Sequence, residues 1–282
     1  MYSATFISDK GEKYVFGPSG NTACDIDFGS GISVNIGTSQ GFAQVGVTVE
    51  NQTVDGRTIT ITGTVYGNVP ERKKIMRRIF TPFTEGRLIF ENTHYSRVYV
   101  KSSPSFSTSK NNGLFSMQFF SPFPFFRATD EKSVQIGAVT PAFRFPVNYG
   151  TTHKFGEKSN ERYTNIFNSG EVKVPFRLNL RTSGTSTNIT VVNIVTKKTL
   201  KINGELAPGD VVSVYRDSNN VLRAELTTDG VTSDILSWID EASDLFELDV
   251  GDNLISATDD EGGASLTAHF LFEPAVVALY ES

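Results

Sequence analysis

Short runs in which apolar and polar residues alternate recur along the whole chain. In residues 57–66, Ile59 and Ile61 fall on one side of an extended backbone and the threonines fall on the other. Residues 43–49 alternate in the same way, with the apolar residues at the odd positions. Alternation with a period of two is typical of half-buried antiparallel strands. Because Gly, Pro, Asn and Asp separate these runs, the pattern predicts a mainly β protein.

The predicted strands form two groups. Those of the first half are Tyr2–Ile7, Lys13–Phe16, Thr22–Phe28, Ile32–Ile36, Phe42–Val49, Arg57–Tyr66, Arg87–Glu91, Arg97–Lys101 and Phe115–Phe120. Those of the second half are Glu171–Leu180, Thr190–Ile194, Thr199–Ile202, Asp210–Tyr215, Leu222–Leu226, Phe246–Leu248, Asn253–Ala257 and Leu266–Phe272. Turn signals such as Asn203-Gly204 separate the second group, and its spacing fits a β-sandwich of the jelly-roll type. Residues 233–241 fit either a helical turn or a bent strand.

One segment breaks the alternation and predicts a helix. Asn68 is a suitable N-cap, Pro70 falls in the first turn, and Glu71 occupies the third helical position. We expect the helix to end near Thr81, before a proline. Its apolar face comprises Ile75, Met76, Ile79 and Phe80, and its basic face comprises Arg72, Lys73, Lys74, Arg77 and Arg78. Such a basic face is usually solvated, and the alternative is a charged contact with a neighbouring subunit.

The stretch Phe119–Tyr149 divides the chain. Two blocks rich in Phe and Pro flank a polar run at residues 127–135. Proline has no backbone donor, so these blocks cannot lie inside paired central strands. We therefore predict an extended crossing between two β-rich domains, residues 1–137 and 138–282, and a long loop within one domain is the alternative. The expected anchors of this crossing to the two cores are Phe123, Phe125, Phe126, Phe143 and Phe145.

Composition and charge narrow the function classes. The chain has 282 residues, 22 Phe and a net charge of −5, which argues against binding nucleic acid through phosphate neutralisation. Cys24 is the lone cysteine, so an intrachain disulfide and a cysteine zinc site are excluded. The first residues lack the pattern of a secretory signal, and no window resembles a membrane span. We expect no cofactor and no bound metal.

No catalytic constellation is evident in the sequence. Residues 37–41 match the G-x-S-x-G pattern, but a strand is predicted after them where a nucleophile elbow needs a helix, so we interpret them as a hairpin turn. His94, His153 and His269 have no partners at metal-ligand spacing, and a structural role is expected for them. We conclude that the protein is not an enzyme.

Several stretches together resemble the distal tail protein family of siphophages and Gram-positive prophages. In the first half they are residues 63–90, GTVYGNVPERKKIMRRIFTPFTEGRLIF, and residues 115–127, FSMQFFSPFPFFR. In the second half they are PAFRFPV (141–147), FNSGEVKVPFRLNL (167–180), INGELAPGDVVSVYRD (202–217) and SDLFELDVGDNLISA (243–257). The motifs occur in the family's order and span most of the chain.

This resemblance implies a fold and a function. The expected fold is mainly β with two domains: an N-terminal ring-forming domain, similar to a β-sandwich or split barrel with one helix, and a galectin-like C-terminal jelly-roll sandwich. The implied role is structural, as a hexameric ring that ends the tail tube, connects it to tail-tip, baseplate and receptor-binding proteins, and leaves a channel for DNA without binding it specifically. The implied location is the tail tip of the virion, after assembly in the host cytoplasm, with no membrane contact.

Two other functions stay open at this point. A carbohydrate-binding module would need an exposed aromatic platform for host cell-wall polysaccharide, and Trp238 and Tyr215 are its candidates, although core packing explains both. A tail-tube subunit is the other alternative. It is disfavoured because such proteins usually have a single sandwich.

Overall fold

The computed structural model describes residues 3–29, 32–107, 109, 111–137, 139–141, 156–158, 162–217, 220–260 and 265–279, with 139–141 and 156–158 described for the backbone alone. Within these ranges the protein is mainly β with one α-helix, so the predicted fold class is confirmed. Two compact units share the chain. The first comprises Met1–Thr129 and Val276–Ser282, and the second comprises Asp130–Ala275.

The first unit is built on an antiparallel sheet. Its strands are β1 (Ala4–Ser8), β2 (Lys13–Phe16), β3 (Thr22–Asp27), β4 (Val34–Ser39), β5 (Thr48–Val54), β6 (Arg57–Val65), β7 (Glu85–Phe90), β8 (His94–Phe106), β9 (Leu114–Ser121) and β10 (Phe126–Ala128). The main path runs β2-β1-β7-β8-β9-β6-β3, and β10 pairs with β8. Alternate residues of β1, β6 and β9 in this sheet are buried, as the period-two pattern predicts, whereas β4 and β5 have no buried residue.

The helix α1 (Val69–Ile79) closes the first unit's core, as predicted. The Asn68 side chain accepts a hydrogen bond from the backbone N–H of Glu71 at 3.4 Å, and the proline lies in the first turn. Phe80 caps the last turn and is fully buried. Its ring centroid lies 5.1 Å from that of Phe6, 5.6 Å from Phe16 and 5.8 Å from Phe119. The abundant phenylalanines thus form one packed aromatic cluster beneath the helix.

The segment between β3 and β6 differs from its prediction. Residues 37–39 belong to strand β4 rather than to a hairpin turn, and residues 42–47 connect β4 to β5 rather than forming a strand. Strands β4 and β5 pair with each other in a separate two-stranded sheet. The alternation in residues 43–49 was therefore misleading, because apolar residues at alternate positions indicate a strand only where a partner strand is present.

The second unit contains two larger antiparallel sheets and a two-stranded sheet formed by β12 and β13. Its strands are β11 (Lys132–Ile136), β12 (Val139–Pro141), β13 (Gly156–Lys158), β14 (Tyr163–Asn168), β15 (Phe176–Thr182), β16 (Ser186–Asn193), β17 (Thr199–Leu206), β18 (Val211–Arg216), β19 (Leu222–Thr228), β20 (Val231–Asp234), β21 (Gly251–Thr258) and β22 (Leu266–Phe272). One sheet has the order β11-β22-β15-β18-β19-β20 and the other has the order β14-β21-β16-β17. Both bury alternate residues, which gives the expected sandwich core.

Two local predictions in the second unit need correction, and one open alternative is decided. Asn203-Gly204 is not a turn, because β17 continues through both residues. Gly204 is needed there since a Cβ atom would lie 2.3 Å from the indole of Trp238. Residues 246–248 form no strand, and Leu248 makes a single bridge to Val174. For residues 233–241, of the two alternatives of a helical turn and a bent strand, the structure has a 3-10 turn at Leu236–Trp238 after β20.

The chain leaves the first unit and later returns to it. The sequence placed the boundary after residue 137, whereas the contacts divide the chain between Thr129 and Asp130, since β11 pairs with β22 of the second unit. The last strand, β23 (Ala275–Val276), pairs with β10. The Arg57 guanidinium donates a hydrogen bond to the carbonyl of Val277 at 2.9 Å, which fastens the returning segment to the first unit.

Candidate assembly surfaces

The basic residues of helix α1 have different environments. Lys73 is only 8% exposed. Its Nζ donates hydrogen bonds to the carbonyls of Ser109 at 3.0 Å and Ser107 at 3.3 Å, and it lies 5.4 Å from the centre of the Phe106 ring. Arg72 donates a hydrogen bond to the carbonyl of Gly20 at 3.0 Å. These two charges therefore stabilise contacts within their own chain.

The remaining three basic side chains of the helix are exposed. Lys74 faces solvent, Arg77 lies over the outer side of the Phe106 ring at 5.2 Å, and Arg78 is 3.6 Å from a carboxylate oxygen of Glu12. An ion pair this exposed contributes little free energy and leaves both side chains free to exchange partners. The predicted subunit interface therefore stays a prediction. Of the five basic helix residues, Lys74, Arg77 and Arg78 are exposed and available for contact with a neighbouring subunit.

Two of the predicted interdomain anchors lie outside the described residues, namely Phe143 and Phe145. Phe126 is fully buried in the first unit's core, where the Arg57 guanidinium lies 4.7 Å from its ring centre. Phe123 and Phe125 are half-buried, with their ring centres 5.2 Å apart. Their role in fixing the crossing stays a prediction.

The hairpin formed by β4 and β5 is amphipathic and exposed on both sides. Cross-strand pairs Val34–Val54 and Ile36–Gln52 share one face, while Asn35–Thr53 pairs on the other. A bulge between Gly37 and Thr38 shifts the register, so that Thr38 pairs with Val49 and the second half of the hairpin keeps the same two faces. We call the side that carries Val34, Ile36, Val49 and Val54 the apolar hairpin face, and Thr38 and Gln52 lie on the same side. Ile36 is 56% exposed and Val49 51% exposed, which is unusual for the apolar side of a sheet.

A second exposed surface lies on the outward side of the central strands β6 and β9. Its side chains alternate with the buried core residues of the same strands. We call it the threonine face, and it comprises Thr58, Thr60, Thr62, Thr64, Leu114, Ser116, Gln118 and Phe120. Leu114 is 53% exposed and Phe120 37% exposed. At its edge, Lys101 donates a hydrogen bond to the hydroxyl of Thr58 at 3.0 Å.

The two sugar-platform candidates of the second unit are engaged in packing. The Arg177 guanidinium covers the Tyr215 ring at 4.3 Å, and the Tyr215 hydroxyl donates a hydrogen bond to Glu225 at 2.9 Å. Trp238 is half-buried and packs against Gly204 of β17. Each ring therefore has a structural contact that competes with the stacking of a sugar.

The groups with catalytic or ligand chemistry also have structural partners. The His94 Nδ1 lies 3.1 Å from the Thr93 hydroxyl, and partial burial lowers the pKa of His94. The His269 Nε2 lies 3.0 Å from the Ser133 hydroxyl on the paired strand, and His153 is outside the described residues. Burial raises the pKa of the Cys24 thiol, which keeps it protonated and unreactive. Within the described ranges no cluster of His, Cys, Asp and Glu could hold a metal ion.

Comparison with known proteins finds one family model and several solved structures that are similar to this chain. The family model described as "Siphovirus-type tail component, C-terminal domain" matches residues 169–271, within the second unit. The crystal structure of the Dit protein of phage SPP1 superposes with a TM-score of 0.63 over 95% of this chain and 98% of that chain, at 14% identity. Residues 169–271 therefore match the C-terminal domain of siphovirus-type tail components, and the whole chain shares the fold of the SPP1 Dit protein. Both findings agree with the resemblance to distal tail proteins noted in the sequence.

Two further structures share the fold at lower similarity. Chains of the phage P2 baseplate in its activated conformation, with Ca and with Sr, each superpose with a TM-score of 0.50 at 12% identity, over 99% of both chains. No curated protein sequence matches the chain. Among the described residues, no helix is long and apolar enough to span a membrane.

Proposed function

We propose that this tail component forms a homohexameric ring at the distal end of the tail tube. The ring connects the tube to the tail-tip, baseplate and receptor-binding proteins and leaves a channel through which DNA passes without specific binding. The observation that carries the proposal is the likeness to the SPP1 Dit protein across both units, since that protein's structure is described as a paradigm of the hub of the adsorption apparatus. The role is structural and requires no cofactor.

The surfaces of the first unit support self-association. A closed ring needs two different, complementary patches on each copy, because every subunit contacts its two neighbours with opposite sides. The first unit exposes an apolar hairpin face, a threonine face and three basic helix residues, Lys74, Arg77 and Arg78. Exposed apolar side chains in this number are typical of protein interaction sites.

Molar mass by light scattering, together with negative-stain images of the same fractions, tests the ring. We expect a six-fold ring with one outward lobe per subunit. A protein that stays monomeric at high concentration, both alone and mixed with the tail tube protein of the same phage, would contradict the proposal.

Carbohydrate binding by the second unit has weaker support. Its two aromatic candidates, Tyr215 and Trp238, are occupied by Arg177 and by Gly204. Isothermal titration with host cell-wall polysaccharide separates the two functions. Saturable binding that is lost in Trp238→Ala would favour the carbohydrate function over a purely structural one.

A further inference from the structure

The chain contains two Asn-Gly steps, and they lie in different surroundings. Asn112-Gly113 is in the loop between β8 and β9, whereas Asn203-Gly204 is within strand β17. In such a step the backbone nitrogen of the glycine can attack the side-chain amide carbon of the asparagine, because glycine has no Cβ atom to hinder the approach. The way in which the fold holds each side chain therefore decides whether the attack occurs in the folded protein.

The loop after β8 holds the Asn112 amide in a reactive position. Its Oδ1 accepts a hydrogen bond from the backbone N–H of Leu114 at 3.0 Å, so the amide group turns toward the backbone that follows Asn112. Attack on the amide carbon places negative charge on this oxygen. An N–H donor that already points at the oxygen stabilises that charge, and the geometry thus favours the reaction.

The fold also requires the glycine of this step. Gly113 is buried, and its carbonyl accepts a hydrogen bond from the N–H of Val65 at 2.9 Å. A Cβ atom at this position would collide with the carbonyl oxygen of Val65. A larger residue therefore does not fit, and the neighbour that makes Asn112 reactive is fixed by the packing against the end of β6.

The Asn203 side chain is held in the opposite sense. Its Nδ2 donates a hydrogen bond to a carboxylate oxygen of Asp240 at 3.0 Å, and this bond lowers the pKa of Asp240, which keeps the carboxylate ionised. A carboxylate beside the amide opposes the negative charge that develops during the attack. Gly204 packs against the indole of Trp238, so the backbone of this step is also held in place.

We propose that Asn112 is a site of spontaneous deamidation in the folded protein, with water as the co-reactant. The Gly113 nitrogen bonds to Cγ of Asn112, and the Cγ–Nδ2 bond breaks. The proton of the Gly113 nitrogen leaves with Nδ2 as ammonia, which leaves a five-membered imide. Water then adds to one of the two imide carbonyl carbons and opens the ring, so that aspartate or isoaspartate forms at position 112 without any oxidant or reductant.

The products alter a loop that helix α1 contacts. The N–H of Asn112 and the ammonium of Lys73 share the carbonyl of Ser109 as acceptor, at 3.2 Å and 3.0 Å, so the new carboxylate forms in the neighbourhood of Lys73. An isoaspartate also routes the backbone through the side chain and lengthens it by one methylene group. The Gly113 and Ser109 carbonyls then cannot both keep their positions for Val65 and Lys73, and we expect the loop to lose part of its contact with the helix.

Ageing of the full chain at mildly alkaline pH, below its unfolding temperature, tests both steps in one sample. Peptide mass spectrometry at intervals measures the mass gain of one dalton and the isoaspartate content at each position. We expect conversion at Asn112 to be about tenfold faster than at Asn203, because only Asn112 has a donor on its amide oxygen. The same chain in guanidinium chloride is the control, and without the fold both steps should react at similar rates.

Two serine variants connect the modification with its effect on the fold. Asn112→Ser has no amide to lose but keeps an oxygen acceptor for the N–H of Leu114, and Asn203→Ser is the matched variant at the other step. Each aged sample is compared with its own fresh sample. We expect the thermal unfolding midpoint to fall on ageing in wild type and in Asn203→Ser, and to stay at its starting value in Asn112→Ser.

Each contrary outcome overturns a stated part of the proposal. An unmodified Asn112 or equal rates at the two steps in the folded protein overturn the site. A rate difference that persists in guanidinium chloride shows that the fold is not its cause. A midpoint that falls equally in aged Asn112→Ser overturns the effect on the loop. The reaction requires only a folded chain, so a failure of the protein to form rings leaves these outcomes unchanged.

Discussion

Helix α1 and the β4–β5 hairpin are both amphipathic, and both belong to the first unit, but they differ in the burial of their apolar sides. The helix buries most of its apolar side, with Met76 and Phe80 inaccessible to solvent and Ile75 partly buried. The hairpin leaves its apolar side open. Two of the helix's five basic side chains also point into the chain's own structure, as shown by the hydrogen bonds of Lys73 to two carbonyls.

This difference shows what an amphipathic pattern determines. The pattern identifies the side of an element that is more stable out of water, because burying apolar surface is favourable by about 25 cal/mol per Å². It does not identify the surface against which that side packs. The apolar side of α1 packs on the aromatic cluster of its own unit, whereas the apolar side of the hairpin is exposed among the residues that the structure describes. The contrast predicts that substitutions under the helix affect folding and substitutions on the hairpin affect assembly.

The largest expected effect is that of Phe80→Ala. The Phe80 ring contacts Phe6, Phe16 and Phe119 in a fully buried position, so its loss leaves a cavity beneath α1. We expect the free energy of unfolding of the first unit to fall by about 3–5 kcal/mol. Far-UV circular dichroism in a denaturant titration measures the change.

Two controls accompany this prediction. The fluorescence of Trp238, the single tryptophan, reports the second unit, and we expect its midpoint to stay in place. Val49→Ala on the hairpin should change the stability of the monomer by less than about 0.5 kcal/mol. Equal losses of unfolding free energy for Phe80→Ala and Val49→Ala would contradict the expected difference between helix α1 and the hairpin.

The next effect separates two adjacent lysines of the helix. Lys73→Ala leaves the carbonyls of Ser107 and Ser109 without their charged donor, and we expect a loss of about 1–3 kcal/mol. Lys74→Ala is the matched control, because its side chain is exposed and its loss should be nearly neutral. Thermal unfolding of both variants measures the difference. Equal melting temperatures would show that the inward position of Lys73 contributes no stability.

A smaller effect is expected at the start of the helix. Asn68→Ala removes the acceptor for the N–H of Glu71 and should cost about 1 kcal/mol. Asn68→Ser retains an oxygen acceptor at the N-cap and should recover most of the loss. Denaturant midpoints of the two variants give the comparison. A Ser variant as unstable as the Ala variant would show that the cap is not the source of the effect.

These elements also show how far sequence reasoning reaches. The bounds of α1 were predictable because its signals are local: an N-cap, a proline in the first turn and a proline after the end all lie within a few residues. Strand β22, Leu266–Phe272, was predicted with its bounds for the same reason, since its alternation is regular. The connection between β4 and β5 was wrongly predicted as a strand. Residues 42–49 carry a strand-like alternation, although only Thr48 and Val49 have a strand partner.

The return of the chain to the first unit was beyond sequence reasoning. Strand β23 has two residues and pairs with β10, about 150 positions earlier in the chain. Nothing in a two-residue segment specifies such a distant partner. The inward position of Lys73 was missed for a similar reason. Helical spacing places it beside Lys74 and Arg77, and only the position of the loop after β8 shows that it is enclosed.

We expect the smallest effect on folding from Arg77→Glu combined with Arg78→Glu. The same variant tests whether the helix lies in the subunit interface. Both side chains are exposed, and the one ion pair involved, Arg78–Glu12, spans 3.6 Å at the surface. Such a pair contributes about 0–1 kcal/mol, so the monomer should remain folded. If these charges meet an acidic patch of the neighbouring copy, the reversal should weaken assembly most at low salt, where charge interactions are least screened.

The control for this variant is Lys197→Glu with Lys198→Glu, which changes the net charge equally in the second unit and should leave assembly intact. A ring that forms normally in the Arg77/Arg78 variant at both low and high salt would exclude Arg77 and Arg78 from the subunit interface.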